Sequence, residues 1–339
     1  MASQTGTIRM SHFPLTSFRR QYIVAPAVYI KMGSNYRRGV IVTLLLFHST
    51  LIIASGREEI PEGVPVVEDY RGRQVAVVDA SRIVPIGGAV TEILFAIGAG
   101  PQVVGIDISA TYPPEATELP VVGYQRRITA EGVLSVNPTL VIATTEAEPI
   151  ASFRLIRDAD VTVLIIPEEF SVEGTHDKIR RIGMAVGREA EAQSLTDRID
   201  REIEAAAALA DRADTRQRVL FIYARGDSVL LAAGRGTQAA AMLAMAGAVN
   251  AGESFRGFRT LSAEAVAAAN PDIVLMMTGG LESVGGVEGA LALPGVALTP
   301  AGRDRKVIHF EDHYLLGFGP RFGLAARDLV LAFHPELRS

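Results

Sequence analysis

The stretch VGYQRRITAEGVLSVNPTLVIA, residues 122–143, decides how this chain is read. A glycine enters a loop that carries one phenol, Tyr124, beside two guanidinium groups, Arg126 and Arg127. Thr129 is placed to cap a helix, and Glu131 falls in its first turn, where a negative charge offsets the helix dipole. Asn137-Pro138 then stops that helix, because Asn tolerates the left-handed position past a helix end and Pro cannot continue it. Leu140 to Ala143 follows as an apolar strand. A loop at this place in an α/β unit faces ligand. The pattern returns in the second half, where SAEAVAAANPDIVL (residues 262–275) echoes TAEGVLSVNPTLVI (residues 129–142). Each copy reads as cap, acidic first turn, short helix, Asn-Pro stop and buried strand. Two related α/β lobes with a ligand cleft between them are the simplest architecture for such a repeat.

Outward from the first copy, Val66 to Ala80 reads as strand material with a tight turn at Gly72. Ile83 to Ile86 is a short buried strand, and Gly87-Gly88 turns it into a helix, Ala89 to Ile97, that ends at Gly98. The glycine pair lets backbone approach a ligand. It is not a nucleotide loop, since no G-x-G-x-x-G is present and no Lys follows as in a P-loop. Val103 to Ile106 is the next expected strand, and Tyr112-Pro113-Pro114 marks an exposed loop. After the polar loop of Glu146 and Glu148 come a helix near Ala151 to Asp158 and a strand, Val161 to Ile166. Val172 to Ala213 carries the longest helical pattern, with Ile179, Ile182, Val186, Leu195, Ile199 and Ile203 near helical spacing. A single helix of that length would reach about 60 Å, with Gly187 as its one candidate break. The second half restarts with strands at Val219 to Tyr223 and Val229 to Ala232, on either side of a turn at Gly226-Asp227. Gly234-Arg235-Gly236-Thr237 leads into a helix, Gln238 to Met245. Met276 and Met277 read as strand core, and the small-residue run Gly279 to Gly286 as a cleft wall.

Composition narrows the function. The net charge of −5 and the lack of a basic stripe argue against nucleic acid as a partner. The absence of cysteine removes disulfides, thiolate metal sites, cysteine nucleophiles and the cysteine of a lipid anchor. At the N-terminus, residues 1–31 show no periodicity and read as a dispensable extension. Residues 32–56 have the parts of a signal peptide: Arg37-Arg38, an apolar run from Val40 to Ile53, and Ala54-Ser55-Gly56. The apolar run is shorter than the about 20 residues of an ordinary membrane span. On this reading the exported protein divides into an N-terminal lobe (57–172), a connecting helix (173–213) and a C-terminal lobe (214–339).

Several separated stretches carry a resemblance to one family. The run RIVPIGGAVTEILFAIGAG from Arg82, then TYPPEA, then LPVVGYQRRITAEGVLSVNPTLVIA, resembles the N-terminal lobe of haem-binding periplasmic proteins of ABC importers. AAGRGTQAAAMLAMAGAVNA, ALPGVALTPAGR and YLLGFGPR resemble the C-terminal lobe of the same family, whose class also includes vitamin B12 and ferric-siderophore binders. The resemblance spans about residues 75 to 336. It implies an α/β fold of two Rossmann-like lobes joined by a single long connecting helix, and a monomeric carrier in the periplasm, not an enzyme. Its transported ligand would be haem, and its partners an ABC permease and its ATPase at the inner membrane.

The same resemblance assigns residues. Tyr124 is the implied axial ligand of the haem iron, with Arg126 supporting the phenolate or a propionate and Arg127 a weaker second candidate. A free phenol ionises near pH 10, so ferric iron and a nearby guanidinium must supply the help it needs at neutral pH. His176 has two readings, a further haem ligand or a surface helix residue, of which the second is favoured. Arg235 and Arg259 either reach propionates across the cleft, which suits arginine forks, or are surface charges. His309, His313, Glu311 and Asp312 contain metal-ligand types, yet ligand type alone is not a site, and they read as a loop at the lobe edge. Tyr112 reads as turn packing. Glu131 and Glu264 are implied to dock onto permease arginines, one from each lobe. Cobalamin or a ferric siderophore is the alternative cargo, although a siderophore already saturates its iron. An α/β enzyme acting on haem is a third reading, and no nucleophile–base spacing, dinucleotide fingerprint or carboxylate pair supports it.

Overall fold

The computed structural model describes residues 63–226 and 228–338. The extension (1–31) and the signal peptide (32–56) expected from sequence lie outside these residues. A small antiparallel hairpin of β1 (Val66–Glu68) and β2 (Gln74–Ala76) opens the fold, turning through Gly72 at φ 74°. The first lobe follows with β3 (Ile83–Ile86), α1 (Gly88–Ala96), α2 (Ala130–Leu134), β4 (Leu140–Thr144), α3 (Ile150–Asp158) and β5 (Thr162–Ile166). Its sheet is parallel in the order β3-β4-β5. Nearly every residue of the three strands is buried, as expected of a parallel sheet covered on both faces. Val103 to Ile106 does not become a strand. It makes single bridges, Val103 to Ile83 and Ile106 to Val121, on its way past the sheet edge.

Two helices, α4 (Val172–Val186) and α5 (Glu189–Ala210), lead to the second lobe. The expected single connecting helix is therefore corrected to a pair. Gly187 ends α4 in the left-handed conformation (φ 66°, ψ 39°), with Arg188 N–H closing back on Gly183 C=O at 2.8 Å. This is the helix stop that glycine permits without a Cβ penalty. At 1.5 Å per residue the halves are about 22 and 33 Å long, and they pack on each other. A Cβ on Gly183 would lie 2.5 Å from that of Ala192, so the helices approach here as closely as glycine allows. Of the residues the periodicity singles out, Ile179, Ile182, Leu195 and Ile199 are buried, and Val186 and Ile203 are half-buried.

The second lobe comprises β6 (Arg218–Arg225), β7 (Val229–Ala233), α6 (Gln238–Met245), β8 (Val249–Asn250), β9 (Phe258–Thr260), α7 (Ala263–Ala269) and β10 (Ile273–Met277). It continues with α8 (Thr278–Ser283), α9 (Gly286–Ala292), α10 (Pro300–Arg303), β11 (Val307–Phe310), α11 (Asp312–Leu316) and α12 (Phe322–Phe333). The sheet order is β11-β10-β6-β7-β9, with β8 pairing the start of β6. Strands β11, β10 and β6 are parallel, while β7 and β9 run antiparallel at the other side. The repeat places equivalent elements. Thr129 Oγ1 accepts from Gly132 N–H at 3.1 Å and Ser262 Oγ from Ala265 N–H at 3.2 Å. Asn137 (φ 48°) and Asn270 (φ 46°) take the left-handed stop. The strands that follow, β4 and β10, each lie between two parallel neighbours.

One apolar core runs through both lobes and the helix pair. It contains Ile93 and Leu94 of α1, Ile142 of β4, Ile179 and Ile182 of α4, Leu195 and Ile199 of α5, Phe221 of β6, and Phe322, Leu329 and Val330 of α12. A charge pair pins the lobes beside this core. Glu92 of α1 is 4% exposed and accepts two hydrogen bonds, at 2.9 and 2.5 Å, from Arg321 at the start of α12. The Arg321 guanidinium also stacks on Tyr112 of the first lobe, 3.9 Å from the ring centroid. Truncating one partner of such a pair strands a buried charge, a loss of about 3–5 kcal/mol, whereas replacing both with apolar or neutral groups is often near neutral. Arg321→Ala should therefore lower unfolding free energy by roughly 3 kcal/mol or more in chemical denaturation, and Glu92→Gln with Arg321→Met should recover most of it. A loss below about 1 kcal/mol, the scale of an exposed ion pair, would show that the pair does not pin the lobes.

Candidate functional site

The two sheets end at a cleft of about 540 Å³ bounded by both lobes. That volume lies within the range of about 300–1,000 Å³ typical of small-molecule sites. From the first lobe the loop after Val122 supplies Tyr124, Gln125 and Arg126, and the turn between β3 and α1 supplies Gly87 and Gly88. From the second lobe β6 supplies Tyr223 and Arg225, which share a face because strand side chains alternate. Leu231, cross-strand partner of Tyr223, and Phe258 of β9 continue that wall. The Tyr223 and Phe258 rings meet edge to face with centroids 6.3 Å apart. Phe170, Met277 and Leu316 complete an apolar lining.

The electrostatics centre on Arg225. Its Nε–H donates to the Tyr223 phenol oxygen, and the Tyr124 phenol of the other lobe is near enough across the cleft to act on its charge. The two phenol oxygens, Tyr223 first, hold the Arg225 pKa above its ordinary value. Two phenols from opposite lobes therefore stand beside one cation in the same cleft. Arg126 lines the cleft beside Tyr124 and is ion-paired with Glu146. Deeper in the same wall, burial holds the Glu168 carboxyl above the usual carboxylate range, against the pull of Lys178, which is wholly buried beside it.

Other residues singled out in the sequence lie elsewhere. Arg127 is exposed and does not line the cleft. Arg235 is exposed too, on a bridge to Arg256 outside the lining. Arg259 sits between Phe258 and Thr260 on β9, so its side chain takes the opposite face, stacks on Phe255 at 5.2 Å and borders a separate hollow behind the sheet. His176 faces α5, with Nε2 3.1 Å from Asp200 Oδ1, and is no part of the cleft. Residues 279–286 form parts of α8 and α9 and do not wall the cleft. The Gly87-Gly88 turn does line it, but its N–H groups are taken, Gly87 N–H by Asp107 at 2.7 Å and Gly88 N–H by Ser109 Oγ at 3.1 Å.

The His309-to-His313 segment is not a loop. Glu311 caps α11 by accepting from His313 and Tyr314 N–H groups, and it also receives the Thr111 hydroxyl of the first lobe at 3.2 Å. His309 bonds Thr278, and Asp312 accepts from Gly279 N–H. Among the described residues no group of three or more His, Asp or Glu side chains is arranged to hold a metal ion. Tyr223 and Arg225 escape a reading of the second half as strand core alone. Their signal is present, since Tyr223-Ala224-Arg225 repeats the Tyr-x-Arg spacing of Tyr124-Gln125-Arg126.

Lobes of this kind, joined by a helical segment and facing each other across a ligand cleft, define a class of solute-binding proteins. The chain belongs to the Periplasmic binding protein family, which matches residues 83–314. It is similar to the solved periplasmic haem-binding protein RhuT of Roseiflexus sp. RS-1 in its apo form, at 46% identity over 76% of this chain and 100% of that one, with a TM-score of 0.74. It is also similar to the periplasmic haem-binding protein BhuT in complex with two haems, at 41% identity over 76% of this chain and 98% of that one, TM-score 0.71. A curated relative is the uncharacterized ABC transporter substrate-binding lipoprotein YvrC of Bacillus subtilis (strain 168), 27% identical over 81% of this chain and 87% of its own length. Cobalamin-binding proteins also occur among the curated relatives. The family and these neighbours are binding proteins. Among the described residues no helix is long and apolar enough to cross a membrane.

The cleft floor supplies a pH-sensitive group. His313 packs against Gly88, Glu92 and Gly317, and burial holds its pKa below the usual value. Glu92 and Glu311 oppose that shift, while Arg321 and Lys178 add to it. An unfolded chain then takes up this proton at about pH 6.5, before the folded one does. The stability tied to neutral His313 is complete above that pH and is lost as pH falls toward the folded pKa. His313→Gln should flatten the fall in denaturation midpoint between pH 7.5 and 5.5. An unchanged slope would mean that His313 takes up its proton at the same pH in the folded and unfolded chain.

Proposed function

We propose that this protein captures ferric haem in its interlobe cleft and delivers it to an ABC importer. The observation that carries this reading is the placement of Tyr124 and Tyr223, one from each lobe, in one cleft beside Arg225. Ferric iron is a hard, highly charged centre, and tyrosinate is an established type of haem ligand. The Arg225 guanidinium beside the two phenols can also meet a propionate. The apolar lining of Leu231, Phe258, Phe170, Met277 and Leu316 suits a flat hydrophobic ring. Arg126 borders the same face, and its bond to Glu146 makes it available to a propionate only through exchange of partners. A ferric siderophore brings its own full set of iron ligands and has no use for two convergent phenols. The haem-binding neighbours at 41–46% identity support haem over cobalamin as cargo.

The purified protein should bind hemin saturably and give a high-spin ferric spectrum with a phenolate-to-iron charge-transfer band. Tyr124→Phe and Tyr223→Phe should each weaken binding by about tenfold or more, a step of about 1.4 kcal/mol, and the double variant should lose the band. Retention of the band in the double variant would move the ligand elsewhere. Saturable binding of cyanocobalamin without hemin binding would favour the cobalamin reading.

Delivery needs a docking face. Glu131 and Glu264 are exposed in the first turns of α2 and α7, at matched places in the repeat. We infer that they meet arginines of the permease, one per lobe, where charge complementarity sets orientation and encounter rate. Glu131→Ala and Glu264→Ala should each leave hemin affinity within twofold of the parent and slow hemin uptake in a reconstituted importer. Undiminished uptake by the double variant would exclude this role. The carrier role also places the chain in the periplasm as a monomer, exported by residues 32–56, and gives it no catalytic step.

A further inference from the structure

Asp107 is fully buried and plays no direct part in the ligand contacts described above. Its Oδ1 accepts from Gly87 N–H at 2.7 Å. Its Oδ2 accepts from the Ser109 hydroxyl at 2.7 Å, Ser109 N–H at 3.2 Å and Gln125 N–H at 3.1 Å. All four donors are uncharged, so the carboxylate acts as a hub of directed hydrogen bonds and not as half of an ion pair. The neighbouring peptide adds a fifth tie, because Ile108 N–H donates to Gly123 C=O at 2.9 Å. The residues on both sides of Tyr124 are therefore bonded to 107–108, and Tyr124 is the one residue between the two anchors. The same carboxylate fixes the Gly87 turn, where φ is 110° and a Cβ would meet Gln125 Oε1 at 3.1 Å.

From this geometry we propose that Asp107 is the positioning residue for Tyr124: it clamps the phenol's loop to the start of α1 and so presents the phenol at a fixed point in the cleft. The role rests on the reading of Tyr124 as a haem ligand. A site that binds iron through a loop side chain needs that loop held before ligand arrives, since ordering it on binding costs affinity. Charge-assisted bonds to backbone N–H groups are stronger than neutral ones, which explains a buried carboxylate at this place. Asp107→Asn keeps the shape but offers an N–H₂ group to donors on one side, so it must release either Gly87 or the Ser109–Gln125 pair.

The test uses amide exchange and a double-mutant cycle on the full chain. In the ligand-free protein, Asp107→Asn should accelerate exchange at Gln125 and Gly87 by at least tenfold while core strand amides such as those of β4 stay protected. With hemin, Asp107→Asn should weaken binding by about tenfold in the parent and by less than twofold in the Tyr124→Phe background, because the lost function is carried by the phenol. Equal weakening in both backgrounds, or parent-like affinity with an unchanged ferric spectrum, would overturn the proposal. Should Asp107→Asn not accumulate folded protein, Ser109→Ala runs the same cycle, with a weakening confined to the Tyr124 background supporting the role and an equal weakening overturning it. Failure of the parent to bind hemin would instead remove the haem reading, and the exchange result would still decide whether Asp107 clamps the loop.

Discussion

The cleft depends on a fixed separation between two sheets, and the Glu92–Arg321 pair with the shared core around it sets that separation. A buried carboxylate on α1 and a guanidinium at the start of α12 cannot part without leaving a charge in an apolar surround. The pair lies beside one continuous core, in which α5 packs against α12 and α4 against α1. Across the lobe boundary Phe170 meets the Phe318 ring edge to face at 5.5 Å, and Phe318 stacks on Phe322. These contacts tie one wall of the cleft to the other. Groups held in place before ligand arrives spare the cost of ordering them on binding.

That constraint gives the chemistry its form. A single guanidinium stands beside phenols of both lobes only if the walls stay in register, and Arg225 does so from the end of β6. Around it the cleft alternates charge, with Arg126 against Glu146 and Lys178 against Glu168. Alternation lets a cleft with several ionisable groups remain near neutral while keeping particular cations and phenols available to an iron porphyrin and its carboxylates. The acidic residues proposed for docking, Glu131 and Glu264, sit on α2 and α7, outside the set that lines the cleft. On the proposed reading, binding and delivery rest on different residues.

Much of this was legible in the sequence, and the reasons are local. The two Asn-Pro stops, the two hydroxyl caps and the strands after them are set by short-range stereochemistry, and the structure has them where the repeat puts them. Tyr124 stood out because it lies in a loop entered by glycine. Tyr223 and Arg225 were hidden because they share β6 with buried residues, and only the face alternation of a strand distinguishes them. The same alternation turns Arg259 away from the cleft, a fact no composition argument could supply. The helical pattern from 172 to 213 was real on both sides of Gly187. It offered Gly187 as a break but did not reveal that the halves pack together, since periodicity carries no information about direction after a left-handed residue. His176 follows from that break, because the fold of α4 onto α5 faces it toward Asp200.

The central claim is that a tyrosinate in this cleft binds ferric iron, and resonance Raman spectroscopy of the hemin complex tests it most directly. Excitation in the charge-transfer band should enhance tyrosinate ring modes that shift when ring-deuterated tyrosine is incorporated and disappear when both Tyr124 and Tyr223 are replaced by Phe. A hemin complex that shows no tyrosinate modes, or keeps them in that double variant, would contradict the account.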